Sequence, residues 1–356
     1  MRPSRRLAAL LLVAALASAC NRGPIPEAAP SPVPSPSPSP SPSPSPSPSP
    51  SPMPVAPLTG VEVTDPAVLD RPALTVKVEN TRAAQPQAGL EDADIVYEEL
   101  VEAGITRFLA VFHSELPDVI GPVRSGRLVD AQVIPAFGGA LVYSGGRPDV
   151  QAALRRTGVA LVTEGDGGVY RDRSRRAPHN LFASGPQALE TGVARGADTP
   201  VRPLFSFAAE PPAGERDCAG PEATCDPTDL TVRMSGQAQT GWTYDEAAGV
   251  YRRAQNGTPQ PTASGDPVGA ANVVVLGMNV FAGGCCDTAG SRYVETEVTG
   301  QGRAVVLRDG RWYEATWRKP SVGDHLELLS GSTPLVLKPG PTWIHLARAE
   351  SLPPAP

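Results

Sequence analysis

Residues 95–114 read IVYEELVEAGITRFLAVFHS. Two runs, Ile95–Val101 and Ile105–Ser114, each alternate apolar and polar residues. They flank Ala103-Gly104, a small connection of the kind that closes a tight hairpin. Charged residues in 92–103 also recur at three and four, which is a helical spacing. The β-branched and aromatic content of ITRFLAVFH decides for strands. Period-two geometry then groups Glu98, Leu100 and Glu102 with Ile105, Arg107 and Leu109 on one face. Arg107 is expected opposite Leu100, with Glu98 and Glu102 on its diagonals, because a guanidinium on an apolar strand face needs carboxylate partners. Tyr97, Glu99, Val101, Thr106 and Phe108 occupy the other face. Glu98 and Glu99 thus point opposite ways and cannot form a paired-carboxylate dyad, which counts against a glycosidase built on them.

Outward from this hairpin the ionisable residues continue. Upstream, Ala73–Glu79 (ALTVKVE) alternates as a strand and carries Lys77 and Glu79, with Asn80 next. Downstream, Arg124–Phe137 reads as a helix weakened by Pro135 and preceded by Gly121-Pro122. Arg124, Ser125 and Arg127 fall near its first turn, where backbone N–H groups and guanidinium groups make an anion site. The alternative is a surface helix whose arginines pair with Asp130. Ala140–Ser144 is a short strand, Pro148–Thr157 a helix stopped by Gly158, and Val159–Thr163 another strand. That βαβ order predicts a mixed α/β sheet. YSGGRPD lacks the G-x-x-x-x-G-K-[ST] pattern of a phosphate loop.

Tyr170–Asn180 concentrates Arg171, Asp172, Arg173, Arg175, Arg176, His179 and Asn180 with Tyr170 in eleven residues. One reading is a solvated loop. The other is a set of guanidinium forks for carboxylate or phosphate, with Asp172 orienting one of them. His179 is either a proton carrier or a structural histidine. Residues 186–196 form a helix that completes the region.

The chain has 356 residues and a formal net charge of −6. Residues 1–20 hold Arg2, Arg5 and Arg6, an apolar run from Leu7 to Leu16 and small residues ending at Cys20. The apolar run is too short to span a bilayer, so this is a secretory signal; the rival is a short uncleaved anchor. Cys20 after Ala-Ser-Ala is similar to a lipobox, although Ala17 stands where Leu is usual. Diacylation at Cys20 would anchor the exported chain to the cell membrane; the alternative is ordinary cleavage near Ala19. Residues 21–57 are a Ser/Pro repeat that allows neither helix nor sheet. In polyproline II, at ~3.1 Å per residue, it reaches on the order of 90 Å.

Five cysteines are odd for an exported protein, and lipidation of Cys20 leaves Cys218, Cys225, Cys285 and Cys286. Three connectivities remain open. Neither C-x6-C nor an adjacent C-C pair matches a zinc spacing, and no His lies near, so no metal is expected. No cofactor motif occurs. Acidity of the body argues against nonspecific nucleic-acid binding.

Residues 208–229 are a Cys- and Pro-rich connection, and from there to residue 348 the pattern is β throughout, with an Asp309-Gly310 turn. The polar loop Gln255–Pro259 is expected to face the first region. The fold class is therefore α+β, a mixed α/β domain at 58–207 followed by a β-rich domain at 230–348.

Taken together, VKVEN, ADIVYEELVEAGITRFLAVFHS, GPVRSGR, YSGG, YRDRSRRAPHN, QNGTP and WRKPSVGD resemble the YerB-like lipoprotein family, a domain of unknown function in N- and C-terminal parts. The likeness spans roughly residues 57–347. It implies a lipoprotein on the outer face of a cytoplasmic membrane and no established activity. Gln260 follows QNGTP where the family often has His, which weakens an acid/base or metal role for that loop. The two Cys clusters look like local additions.

The excess of arginine forks over identifiable nucleophiles favours a module that binds a charged envelope ligand, a wall polymer or a partner protein. Two alternatives stand beside it. One is an envelope hydrolase or transferase using His179 or a glutamate with Ser125 or Ser144, although no G-x-S-x-G, S-x-x-K or H-E-x-x-H motif occurs. The other is a scaffold whose charges are internal salt bridges.

Overall fold

In the computed structural model, residues 53–218, 225–265, 267–287 and 290–354 are described. The signal segment, Cys20 and all but the last residues of the Ser/Pro repeat lie outside them. No helix among the described residues is long and apolar enough to cross a membrane.

The strands of the first region are β1 (Leu74–Asn80), β2 (Ile95–Leu100), β3 (Thr106–Phe112), β4 (Ala140–Val142), β5 (Ala160–Val162), β6 (Val169–Arg171) and β7 (Leu181–Ala183). Its helices are α1 (Asp130–Val133), α2 (Pro148–Arg156) and α3 (Gly185–Ala194). Beyond residue 228 come β8 (Asp229–Arg233), β9 (Gln239–Asp245), β10 (Val250–Gln255), β11 (Thr258–Pro259), β12 (Gly269–Ala270) and β13 (Asn272–Ala282). β14 (Val294–Glu297), β15 (Gly300–Arg308), β16 (Arg311–Lys319), β17 (Glu327–Ser330), β18 (Thr333–Pro334) and β19 (Thr342–Arg348) follow. The fold is α+β, helix-bearing in its first region and β-rich in its second.

Among the described residues one twelve-stranded sheet runs in the order β18-β17-β16-β15-β13-β19-β2-β3-β1-β4-β5, with β14 on β13. It crosses from one region into the other, because β19 near the end of the chain pairs in parallel with β2, Thr342 opposite Ile95 through Leu346 opposite Glu99. Strands β13 and β19 read as near-continuous apolar runs, as strands buried on both faces must. Val76, Val96, Phe108, Val273 and Trp343 pack on one face. Tyr97, Leu109, Leu141, Val274 and Ile344 pack on the other. A five-stranded sheet, β11-β10-β9-β8 with β12 on β10, brings Trp242 and Tyr251 into the first of these cores. Helix α3 joins the same core through Ala188 and Leu189, while α2 supplies Val150 and Leu154 to the second.

Two local expectations are corrected. The β2–β3 connection is not a two-residue hairpin. Residues Glu102–Gly104 make a single 3-10 turn in which Ala103 (φ 57°) and Gly104 (φ 70°) are left-handed. The register moves by one, so Arg107 lies opposite Glu99 and Phe108 opposite Glu98. A one-residue slip exchanges faces throughout a strand, so Arg107 shares its face with Glu99 and not with Glu98. Glu98 and Glu99 still point opposite ways. Second, the helix expected over Arg124–Phe137 shrinks to α1 and a 3-10 turn, Ile134–Ala136, which contains Pro135. Residues before it run extended instead, with Arg124 N donating to Lys77 O (2.8 Å) and Gly126 N to Gly145 O (2.9 Å). Arg124, Ser125 and Arg127 therefore do not sit at a helix N-terminus.

Of the three cysteine pairings, the structure holds Cys218–Cys225 and the adjacent Cys285–Cys286. Of the Gln255–Pro259 loop, Gln255 reaches the first region, its Oε1 accepting from Asn80 Nδ2 at 3.0 Å, whereas Asn256–Pro259 are exposed.

Candidate functional site

Strands β1, β2, β4, β5, β13 and β19 all run in the same direction, since β1 is parallel to β4, β4 to β5, β2 to β19 and β19 to β13, while β1 and β2 both oppose β3. Their carboxyl ends share one edge of the sheet, the place where open sheets of this kind hold ligands. Glu79 is the penultimate residue of β1 there, Glu99 that of β2 with Glu102 just beyond it, Ser144–Arg147 follow β4, and Asn279–Ala282 end β13. Arg107 enters the same edge from the start of β3.

The floor is a sealed charge cluster. Lys77 Nζ donates to Asp130 Oδ1 (2.7 Å) and to Glu99, and all three side chains are buried. Asp130 is fixed further by Arg127 N at 2.7 Å. Burial and the neighbouring Asp130 raise the Glu99 carboxyl to about 7, against the opposing pull of Lys77. One ammonium cannot fully compensate two carboxylates in a dry site.

Above the floor stand three guanidinium groups. Arg107 Nη1 donates to Ser125 O (2.7 Å). Burial, then Arg127 and Arg124, lower Arg107 to about 10. Arg127 Nε donates to Glu102 Oε2 (3.0 Å) and Nη1 to Gly126 O (2.8 Å). Three buried atoms here have no hydrogen-bond partner: Arg107 Nε, Arg124 Nε and Glu102 Oε1. An unpaired buried polar atom costs roughly 1–3 kcal/mol, so each one needs a partner or an explanation.

At the mouth, both oxygens of the buried Glu79 carboxylate receive His179 Nδ1, at 2.9 and 3.0 Å. Thr81 Oγ1 donates to Glu79 at 2.8 Å and Arg124 Nε approaches it to 3.6 Å. A carboxylate only accepts, so Nδ1 carries the proton and Nε2 is left to face outward. Side-chain exposures of 27% for His179 and 23% for Arg124 keep this end open. Ser125 Oγ and Ser144 Oγ lie 3.4 Å apart beside it.

The other sequence candidates lie elsewhere. Glu98 is on the opposite face, fully buried against Arg253 (2.8 Å), Thr106 (2.7 Å) and Thr240 (3.0 Å). Asn80 belongs to that same network through Thr106 Oγ1 at 2.7 Å. Tyr170 packs against Phe182 (centroids 6.4 Å apart). Arg171 is drawn outward by Glu164 Oε2 (2.6 Å) and Asn180 Oδ1 (2.7 Å). Asp172 caps Ser174 N (2.8 Å). Arg175 closes the turn before Pro86, donating to Ala84 O (2.7 Å) and Pro86 O (3.2 Å). Arg176 is exposed. No group of three or more His, Cys, Asp or Glu among the described residues suits a metal ion.

The sequence reading did not connect Arg253, Gln260 and His345 with the first region. Gln260 is buried and binds Gln87 Oε1 at 3.0 Å. His345 Nε2 accepts from Trp242 Nε1 (2.8 Å), which leaves its Nδ1, 3.2 Å from Glu98 Oε2, as the protonated nitrogen. Arg253 and His345 sit in β-strand patterns with no neighbouring carboxylate in sequence, so only pairing across the fold could reveal them.

An α+β protein that gathers Glu79, Arg107, Arg124, Arg127 and His179 at the carboxyl edge of its main sheet is the class this geometry defines. The chain belongs to the family described as protein of unknown function DUF3048. Residues 58–198 match its N-terminal domain and residues 230–344 its C-terminal domain. It is similar to a Bacillus subtilis (strain 168) protein named "Putative lipoprotein YerB", with 30% identity over 300 residues, 82% of this chain and 85% of the relative. It also resembles the crystal structure of YerB protein from Bacillus subtilis, with a TM-score of 0.68 and 26% identity over 82% of this chain and 95% of that one.

Proposed function

We propose that this chain is a lipid-anchored envelope protein that binds, without turnover, a ligand bearing an oxyanion group at the Arg124 end of the cleft. The relative named as a lipoprotein, the lipobox-like Cys20 and the Ser/Pro spacer support anchorage outside the cell membrane. The observation carrying the binding role is a pair of guanidinium nitrogens without a hydrogen bond, Arg107 Nε and Arg124 Nε, the second at ion-pair distance (3.6 Å) from Glu79, beside a half-open mouth. An arriving carboxylate or phosphate supplies what such guanidinium groups lack. The ligand in the cell would be a wall polymer or an envelope protein.

Isothermal titration of the full-length protein in detergent micelles, with acetyl-alanyl-alanine and with inorganic phosphate as probes, tests this. Arg124→Ala is expected to weaken binding about tenfold, which corresponds to about 1.4 kcal/mol, with the melting temperature unchanged. Equal binding by the variant, or a large fall in its melting temperature, overturns the reading, the latter in favour of a scaffold of internal ion pairs.

A second reading rests on the Glu79–His179 pair. A carboxylate-oriented imidazole with an outward Nε2 is the arrangement of a general base. Hydrolysis of an ester probe by the protein and its loss in His179→Ala would favour an enzyme.

A further inference from the structure

Beyond the carboxyl end of β13 the same edge opens into a groove of about 1220 Å³, whose lining includes none of Arg107, Arg124 and His179. That is larger than the roughly 300–1,000 Å³ of ordinary small-molecule sites, room for several linked rings. One wall is the overhanging β13–β14 arm. Asn279 lies opposite Glu297 and Phe281 opposite Glu295, so these four side chains share a face. The alternate residues Val280 and Thr296 are buried at 7% and 2% exposure, whereas Phe281 is 46% exposed. The Phe281 ring is thus set outward on the groove wall, across the ladder from the Glu295 carboxylate.

The facing wall is already organised. The Arg147 guanidinium lies 3.8 Å from the Tyr293 ring centroid. Asp149 holds it with bonds of 2.9 and 2.5 Å, and Glu295 approaches to 3.4 Å. Asn279 Nδ2 donates to Glu297 Oε2 at 3.2 Å. The groove therefore offers two aromatic surfaces and a ring of planar amide, carboxylate and guanidinium groups fixed before any ligand arrives. Aromatic rings cover the C–H faces of pyranose sugars, and planar polar groups bond adjacent hydroxyls in pairs. Its single guanidinium is occupied, and three carboxylates outnumber it, so a polyanion is repelled.

We propose that this groove binds a neutral or amine-bearing oligosaccharide. The proposal goes beyond the oxyanion role and stands or falls separately. The test uses the full-length protein in micelles of a detergent without a sugar head group, titrated with chitotetraose, with its deacetylated counterpart and with polyglutamate. Binding of a saccharide and none of polyglutamate is expected. Phe281→Ala is expected to weaken saccharide binding about tenfold, the stacking contribution of one ring. Glu297→Gln is expected to weaken the deacetylated tetramer more than chitotetraose. Arg124→Ala is expected to leave both saccharides unaffected while impairing acetyl-alanyl-alanine, so failure of one role is visible apart from the other. The inference is overturned if neither saccharide binds, if Phe281→Ala and Tyr293→Ala bind like the parent, or if polyglutamate is preferred. Phe281 is exposed, so its truncation leaves the fold intact, which circular dichroism verifies.

Discussion

Removing Arg253 should loosen the attachment of the five-stranded sheet to the main sheet. Arg253 Nη2 reaches Glu98 Oε2 (2.8 Å), Thr240 Oγ1 (3.0 Å) and Gln255 Oε1 (2.8 Å), and Nη1 reaches Gln260. The guanidinium carbon lies 4.9 Å from the Phe108 ring and 5.1 Å from Trp343. Both charged side chains are wholly buried. Burial pushes the Glu98 carboxyl up, but Arg253 and His345 outweigh it and hold the group below the usual carboxylate range. Burial likewise draws Arg253 down, with Glu98 opposing; a guanidinium keeps its proton regardless.

Arg253→Met therefore strands a buried carboxylate, at a cost of about 3–5 kcal/mol. Glu98→Gln strands the guanidinium at a similar cost. The double variant should be less destabilised than the sum, with a coupling of about 1–3 kcal/mol. Urea unfolding followed by tryptophan fluorescence is suited to this, because Trp242 and Trp343 are buried next to the pair, their centroids 5.4 Å apart. A carboxyl lowered in the folded state contributes stability above its unfolded value of about 4.3 and loses it as pH falls through the lower folded value. The gap between parent and Glu98→Gln should accordingly narrow in acid. Additive single variants, or a gap that stays constant into acid, would refute the reasoning.

Glu99 has the opposite sign. Raised to about 7, it contributes stability below about pH 4.3 that disappears as pH rises through 7; Glu99→Gln should flatten the thermal-melt profile across that window. Lys77→Met leaves Glu99 and Asp130 facing each other and should destabilise by about 3–5 kcal/mol at pH 8 and by less at pH 5, where Glu99 is protonated. Gly139 has φ +68°, and a Cβ there would meet Ala73 O at 2.0 Å, so Gly139→Ala should cost more than about 1 kcal/mol in chemical denaturation. Arg175→Ala removes the bonds to Ala84 and Pro86 carbonyls and should lower stability by about 1 kcal/mol without changing acetyl-alanyl-alanine affinity.

Strand alternation in VKVEN and IVYEELVEAGITRFLAVFHS, and the βαβ order after Ala140, were readable because period and turn residues are local properties. So was the opposite facing of Glu98 and Glu99, which follows from period two alone. Register was not readable: whether Ala103-Gly104 or a wider turn closes the hairpin depends on how Glu102 finds Arg127 and how residues 124–126 lie along β1 and the strand before Gly145. Those choices are made by parts of the chain twenty or more residues away. For the same reason the sequence supplied a list of charged residues but not their grouping. It marked Glu79, Arg124 and His179 as members of one set with Glu98 and Arg171, which the fold sends to other places.

The primary structure by itself determined an α+β body whose strands are rich in ionisable side chains, because strand period and turn residues are written locally in it. The tertiary structure alone decided that β19 enters beside β2 and joins the two regions in one sheet. It also decided that Arg253 from the second region neutralises Glu98 from the first. The physical reason is range: periodicity and turn chemistry act over a few neighbours, whereas desolvation of a charge is settled by whichever distant segment packs against it.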